Sequence, residues 1–422
     1  MNYKKTTLKN GLRIITAPVK GTATATVMVM VGVGSRYESA REAGLSHFIE
    51  HMLFKGTQKR PTYLQIAEEL DAIGGESNAF TGKDKTAYYA KADAKHMETA
   101  LDVIADMYLN STIEEAEIKK ESGTIIQEIN MYEDSPMRNA GNIFEQLMYP
   151  DNALGGDIAG SKKTVASFKR KDFVEYMEKF YVANDTVVCV AGKFNEKRTI
   201  AQIEKYFAGM RKGKKPIAEK IVEAQSQAEA KIKFKKTDQS HLVLGVRAYD
   251  ENHKDRFVLS VMSVILGGNM SSRIFGEVRE KRGLAYYVRT NIDSYQDCGY
   301  LATSAGVEHK NLALAVETIL GEYKKIATEA VTTEELQKAK DYIKGRSIMN
   351  LESSDEVAMF LIEQEIDKKK IMTVAEIFAR IDKVTASDIL RVARDIFKEK
   401  GLNLAVIGPH KDSKKIQAIL KF

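Results

Sequence analysis

Apolar and polar positions alternate over residues 12–33, which predicts two strands ending at Val31-Gly-Val-Gly-Ser35. Helical spacing follows at 43–54 and 62–73. A second strand pair reads through 76–81 and 86–90, with Gly82-Lys-Asp-Lys85 as its turn. Long helices are expected over 94–109 and 114–132, the second stopped by Pro136, and then a strand at 186–191 and a helix from about 195. Residues 208–230, with Gly209-Met-Arg-Lys-Gly-Lys-Lys-Pro216 and few apolar anchors beyond it, read as a connector.

After the connector the order of elements repeats. A helix at 256–266 leads to Gly267-Gly268, then strands at 284–291 and 299–306, then helices at 309–327 and 333–349. Thr112-Ile-Glu-Glu-Ala-Glu-Ile-Lys-Lys120 has a counterpart in Val331-Thr-Thr-Glu-Glu-Leu-Gln-Lys-Ala-Lys340, and Val187–Gly192 one in Asn403–Gly408. The expectation is an α+β fold of two homologous domains, each a mainly antiparallel sheet with helices packed on it. The division expected along the chain is 1–210, a linker at 211–230, and 231–422.

Composition narrows the function classes. A chain of 422 residues, 44% of them hydrophobic, is too long for one ordinary core and too apolar to be disordered. Its longest apolar runs, such as Val258–Leu266, fall far below the roughly 18 residues that cross a bilayer. The net charge of +6 is spread over short, interrupted runs. Lys119-Lys120 precedes Glu121, Lys368-Lys369-Lys370 follows Asp367, and Arg211-Lys-Gly-Lys-Lys215 lies in the connector. These read as solvated faces, and no nucleic-acid motif accompanies them. The N-terminus lacks the features of a signal peptide, so a cytoplasmic protein is expected. Cys189, inside Thr186-Val-Val-Cys-Val190, reads as a buried thiol, and two cysteines make no disulfide framework.

The chemistry concentrates in Gly44-Leu-Ser-His-Phe-Ile-Glu-His-Met-Leu-Phe-Lys-Gly-Thr57. Only 7 histidines occur in the chain, and His47 and His51 stand four apart, one above the other on a helix face. That spacing lets both imidazoles share one cation, with Glu50 beside them as a base for a water at the metal. The order is H-x-x-E-H. A third ligand is needed, and Glu114, Glu115, Glu117, Glu121, Glu128 and Glu133 are all available downstream. Glu121 and Glu128, seven apart, share a helical face.

Gly34-Ser-Arg-Tyr-Glu38 together with His47-Phe-Ile-Glu-His-Met-Leu-Phe-Lys-Gly-Thr57 resembles the pitrilysin (insulinase-type) zinc metallopeptidases, especially their short, mitochondrial-processing-peptidase-like subgroup. The resemblance extends over essentially the whole chain. It implies one Zn2+ per chain, with the third ligand 77 positions after the second histidine, which here is Glu128. Glu121 then orients a ligand or the water. The family also has an Arg and a Tyr seven apart that reach the active chamber from the second domain, matched by Arg279 and Tyr286. The resemblance implies that these bind the substrate backbone and stabilise the oxyanion. It places an extended peptide along the edge of the strand in Gly74–Thr81, with Asn78 and Phe80 as candidate substrate contacts, though Phe80 equally suits a core position. At the offset that aligns Gly56 with Gly267, His47, Glu50 and His51 correspond to Val258, Val261 and Met262, so the second domain holds no metal. Gly267-Gly268 reads either as a lip of the chamber or as a helix-ending turn.

The resulting expectation is a zinc metalloendopeptidase that cuts peptides or unfolded polypeptides in a closed chamber. It acts as a homodimer whose sites are completed across subunits, with no nucleic-acid or membrane partner. The rival from another class is a non-catalytic partner subunit of the same fold. Such subunits lose one of the two motifs, and this chain has both.

Overall fold

The computed structural model describes residues 2–214, 217–367 and 370–422. Lys215 and Pro216 of the connector, and Lys368 and Lys369 of the basic run, lie outside the described residues. The first half begins with strands β1 (Lys4–Thr7), β2 (Arg13–Pro18) and β3 (Thr24–Val31), then helices α1 (Leu45–Met52) and α2 (Tyr63–Asp71). The hairpin β4 (Glu76–Thr81) and β5 (Thr86–Asp93) leads to α3 (Met97–Asn110), α4 (Glu115–Asp134) and α5 (Pro136–Met148). Helices α6 (Lys162–Ser167) and α7 (Arg170–Phe180), strand β6 (Thr186–Gly192) and α8 (Glu196–Phe207) complete it.

The second half runs β7 (Glu229–Phe234), β8 (Ser240–Ala248), α9 (Arg256–Ser263), β9 (Ala285–Ser294) and β10 (Gly299–Val307). It continues with α10 (Leu312–Thr328), α11 (Thr333–Asn350), α12 (Ser354–Asp367), α13 (Val374–Asp382) and α14 (Ala386–Ile396), then β11 (Leu402–Gly408) and α15 (Ser413–Gln417).

The first sheet has the order β1-β2-β6-β3-β5-β4 and the second β7-β11-β8-β10-β9. Each is antiparallel except for one parallel pair, β2 with β6 and β7 with β11. From β2 onward the first order is repeated in the second, so the duplication seen in the sequence is a duplication of topology. Both ends of α1 recur in α9 displaced by 211 residues, Leu45 to Arg256 and Met52 to Ser263. Val258, Val261 and Met262, at the positions offset by 211 from His47, Glu50 and His51, are buried.

The chain divides into two compact units: Met1–Ile129 with Gly156–Glu219 and Ile348–Thr373, and Asn130–Gly155 with Lys220–Ser347 and Val374–Phe422. In the first unit one sheet face packs Val27 and Val29 against Phe48, Ile104, Phe173 and Phe207. The other face packs Ile15, Met28, Met30 and the buried Cys189 against Val357, Leu361 and Ile362 of α12. Burial on both faces explains why β3 and β6 read as nearly continuous apolar runs. In the second unit Leu244, Val316, Ile319 and Leu404 form one layer. The outer face, with Val243, Tyr300 and Ile407, is covered by Ile143, Phe144 and Met148 of α5. Thus α5, from the first half of the chain, covers the second sheet, and α12, from the second half, covers the first. Pro136 ends the reach of α4 by opening α5 at its first helical position, where a missing N–H costs nothing. Among the described residues, no helix is long and apolar enough to cross a membrane.

Candidate metal and active centre

Helix α1 buries Leu45, Phe48, Ile49 and Met52, and this i, i+3, i+4, i+7 stripe turns His47, Glu50 and His51 to the opposite face. Helix α4 is anchored by Ile118, Ile125 and Ile129, and it presents Glu121 and Glu128 toward α1. The Nε2 atoms of His47 and His51 are 3.3 Å apart. Glu128 Oε2 lies 3.6 Å from His47 Nε2 and 3.5 Å from His51 Nε2. Tetrahedral zinc with bonds of about 2.0–2.2 Å sets neighbouring ligand atoms roughly 3.3–3.6 Å apart. His47, His51 and Glu128 therefore fit one face of such a tetrahedron, and they form the group of possible metal ligands found among the described residues.

Glu121 Oε1 accepts a hydrogen bond from His51 Nδ1 at 2.8 Å. A carboxylate can only accept, so the bond places a proton on Nδ1 and aims the other nitrogen at His47 and Glu128. Lys55 Nζ, 2.6 Å from Glu121 Oε2, holds that carboxylate from its other side. Burial acts to raise Glu121, but the bonds from His51 and Lys55 outweigh it and keep the carboxyl below its ordinary range. Burial, and then the charge of His51, push His47 down to about 4. Burial would lower His51 as well, yet Glu121 and Glu128 hold it up at about 9.

Glu50 Oε2 accepts a hydrogen bond from Thr81 Oγ1. Burial raises the Glu50 carboxyl against the pull of that bond. Neither Thr81 nor Lys55 stands out in the sequence. Thr81 is one residue beyond the candidate Phe80, and Lys55 lies inside the quoted motif, but no spacing rule selects either.

Strand β4 is an edge strand, paired among the described residues only with β5. Ala79 packs toward the layer that contains α1, whereas Phe80 packs toward the α12 layer. Asn78 stands opposite Tyr89, on the same face as Phe80, and is exposed. The side chains of Asn78 and Phe80 thus lie on the sheet face turned from Glu50, and the backbone of β4 is what its open edge offers.

Arg279 and Tyr286 belong to the second unit. Arg279 lies on the π-helical turn Phe275–Lys281, its guanidinium carbon 5.0 Å from the Phe275 ring centre and 5.4 Å from that of Tyr286. Tyr286, at the start of β9, is 77% exposed, so its hydroxyl is available to a ligand. Gly267 meets the Thr290 side chain so closely that a Cβ there would lie 2.1 Å from Oγ1, and close packing accounts for this glycine.

Residues 13–162 match the family described as Insulinase (Peptidase family M16), and residues 167–343 match the Peptidase M16 inactive domain. An uncharacterized zinc protease of Bacillus subtilis is 36% identical over 407 residues, spanning 96% of this chain and 98% of that protein. Another, of Streptomyces coelicolor, is 34% identical over 97% of this chain and 90% of its own length. Among solved structures, a protease from Helicobacter pylori superposes with a TM-score of 0.88 at 24% identity, covering 97% of this chain and 99% of that one. A Pseudomonas fluorescens structure described as a peptidase M16 inactive domain gives 0.90 at 17% identity, covering 98% and 100%. These last two show the common fold. With a metal-site geometry that fits zinc and relatives this similar along nearly their whole length, the chain belongs to the insulinase family, peptidase family M16.

Proposed function

We propose that this chain is a zinc endopeptidase that hydrolyses peptide bonds in peptides or unfolded polypeptides. The observation that carries the reading is the set of three donor atoms 3.3–3.6 Å apart, with the Glu50 carboxyl on the same helix face. Relatives named as zinc proteases support the choice of metal. A zinc ion held by His47, His51 and Glu128 would leave one position open, lower the pKa of water there and polarise a scissile carbonyl.

The chain's own groups divide the remaining work. Glu50 takes a proton from the attacking water and delivers it to the leaving amine. Thr81 holds one Glu50 oxygen and leaves the other free. Glu121 fixes the His51 tautomer, and Lys55 fixes Glu121. An extended substrate adds to the open edge of β4 through backbone hydrogen bonds, which demands little of its sequence. Arg279 and Tyr286 bind the substrate backbone and stabilise the developing oxyanion, a role supported by their close pairing and by the exposure of Tyr286.

The family resemblance also supports a chamber closed by a second copy. Larger relatives carry four such domains in one chain, the metal in the first and the Arg/Tyr pair in the last, so a two-domain chain would reach that arrangement as a C2 homodimer. The function is tested by zinc titration together with cleavage of a mixed peptide library, with Glu50→Gln as control. A zinc-loaded wild-type protein that cuts nothing would sink the proposal.

A further inference from the structure

Gly34-Ser35-Arg36-Tyr37-Glu38 takes no part in the chemistry above, yet its last residue reaches the metal helix. Glu38 is only 6% exposed. Its Oε2 accepts the Gly44 N–H at 2.7 Å and its Oε1 the Ser46 N–H at 2.7 Å. These are two of the four donors that the start of a helix leaves without an intrahelical partner. A third, the Leu45 N–H, goes to the Glu42 carbonyl at 2.9 Å.

Gly44, the residue at the cap position, cannot serve its own helix, since it has no side chain to offer. It also cannot be exchanged for a capping residue. Its φ is +95°, and a Cβ there would stand 2.6 Å from the Ala159 carbonyl oxygen. The cap is therefore supplied from upstream, by a carboxyl whose two oxygens match two converging N–H groups.

Helix α1 has only eight residues, and His47 directly follows Ser46. A small tilt of the first turn would move His47 relative to His51 and Glu128, whose donor atoms now stand at bonding separation for one cation.

We propose that Glu38 is a positioning residue: it locks the first turn of α1 and so sets the placement of His47 and the affinity of the site for its metal. The inference rests on the metal reading of the site. It requires a carboxylate in particular, because the amide of Gln offers one acceptor oxygen and would turn its NH2 toward the second N–H.

The test compares wild type, Glu38→Gln and Tyr176→Phe at pH 8. The last removes the 2.7 Å bond between Tyr176 Oη and Ser46 Oγ in the same pocket and leaves both Glu38 bonds in place. Zinc affinity is read by chelator competition, and ligand geometry by the visible spectrum of the cobalt(II)-substituted protein. Glu38→Gln should bind zinc roughly tenfold or more weakly, with an altered cobalt spectrum, while Tyr176→Phe matches wild type. Wild-type affinity and spectrum in Glu38→Gln would overturn the proposal, as would an equal loss in Tyr176→Phe, which would mark general loosening of the pocket. If Glu38→Gln does not fold, Glu38→Asp takes its place. Its shorter carboxylate keeps the charge but cannot hold both N–H groups, so it too should bind more weakly, and wild-type behaviour would again overturn the proposal. A wild-type protein that gives no cobalt spectrum at all would instead strike the metal reading itself.

Discussion

Thr81 Oγ1 donates to Glu50 Oε2, tying edge strand β4 to the helix that carries both histidines. Hydrogen bonds to charged groups contribute about 1.5–3 kcal/mol. Thr81→Ala should therefore lower kcat by about tenfold or more with little change in KM or zinc content, since it frees the base and touches no ligand. Thr81→Ser should recover most of the rate. Steady-state kinetics on the three proteins decide it, and an unchanged kcat in Thr81→Ala would remove Thr81 from the site.

Glu50→Gln should reduce turnover by about two to four orders of magnitude and leave zinc bound, because Glu50 is assigned the proton and not the metal. Metal analysis of the purified variant is the check. Stoichiometric loss of zinc would make Glu50 a ligand and reverse the assignment.

His51→Ala and Glu128→Ala should lose the metal, whereas Glu121→Gln should weaken binding about 10- to 100-fold, because it disturbs only the orientation of His51. Chelator competition separates the two classes. A fully metallated Glu128→Ala protein would transfer the third position to another carboxylate, with Glu121 the first to examine.

Burial, with the charge of Glu42 adding to it, raises the Glu38 carboxyl to about 7 against the Ser46 and Gly44 N–H groups, from an ordinary 4.5. Tyr176 and Tyr181 also face it. The folded protein then holds this proton more tightly than the unfolded chain. The stabilisation is complete below about pH 4.5 and is lost as pH rises through about 7, by about 3 kcal/mol in all. With chelator present to remove metal linkage, wild-type stability should fall between pH 5 and 8 relative to Glu38→Gln. Urea unfolding of both proteins measures it, and a pH-independent difference would refute the raised carboxyl.

Glu50→Gln and Arg279→Ala should each be nearly inactive alone. If the sites are completed across a C2 dimer, mixing them with subunit exchange makes half of the dimers hybrids, each with one intact site. Activity should then return to about a quarter of wild type. Differently tagged chains report the exchange. Exchange without recovery would mean that the site is built within one chain.

Much of the candidate ligand set was legible because its geometry is local. The four-residue step from His47 to His51 and the seven-residue step from Glu121 to Glu128 put each pair on one helical face whatever surrounds them. The duplication was legible for a similar reason, since each half repeats the same succession of periods. What periodicity cannot express is which face meets which. That Glu121 takes the Nδ1 side of His51 while Glu128 stands beside its other nitrogen depends on how α4 packs against α1, through Ile118, Ile125 and Ile129. That Thr81 rather than Phe80 turns toward Glu50 depends on the register of β4 on β5, where one step exchanges the faces. The exchange of α5 and α12 between the two sheets was invisible along the chain. An apolar helix face shows only that something must cover it, because hydrophobic burial has no direction of its own. The sequence by itself determined the helix, its two histidines and the glutamate between them. Only tertiary packing decided the neighbours of Glu128, the partner of Glu50 and the sheet beneath each exchanged helix, since each rests on contacts between residues far apart in the chain.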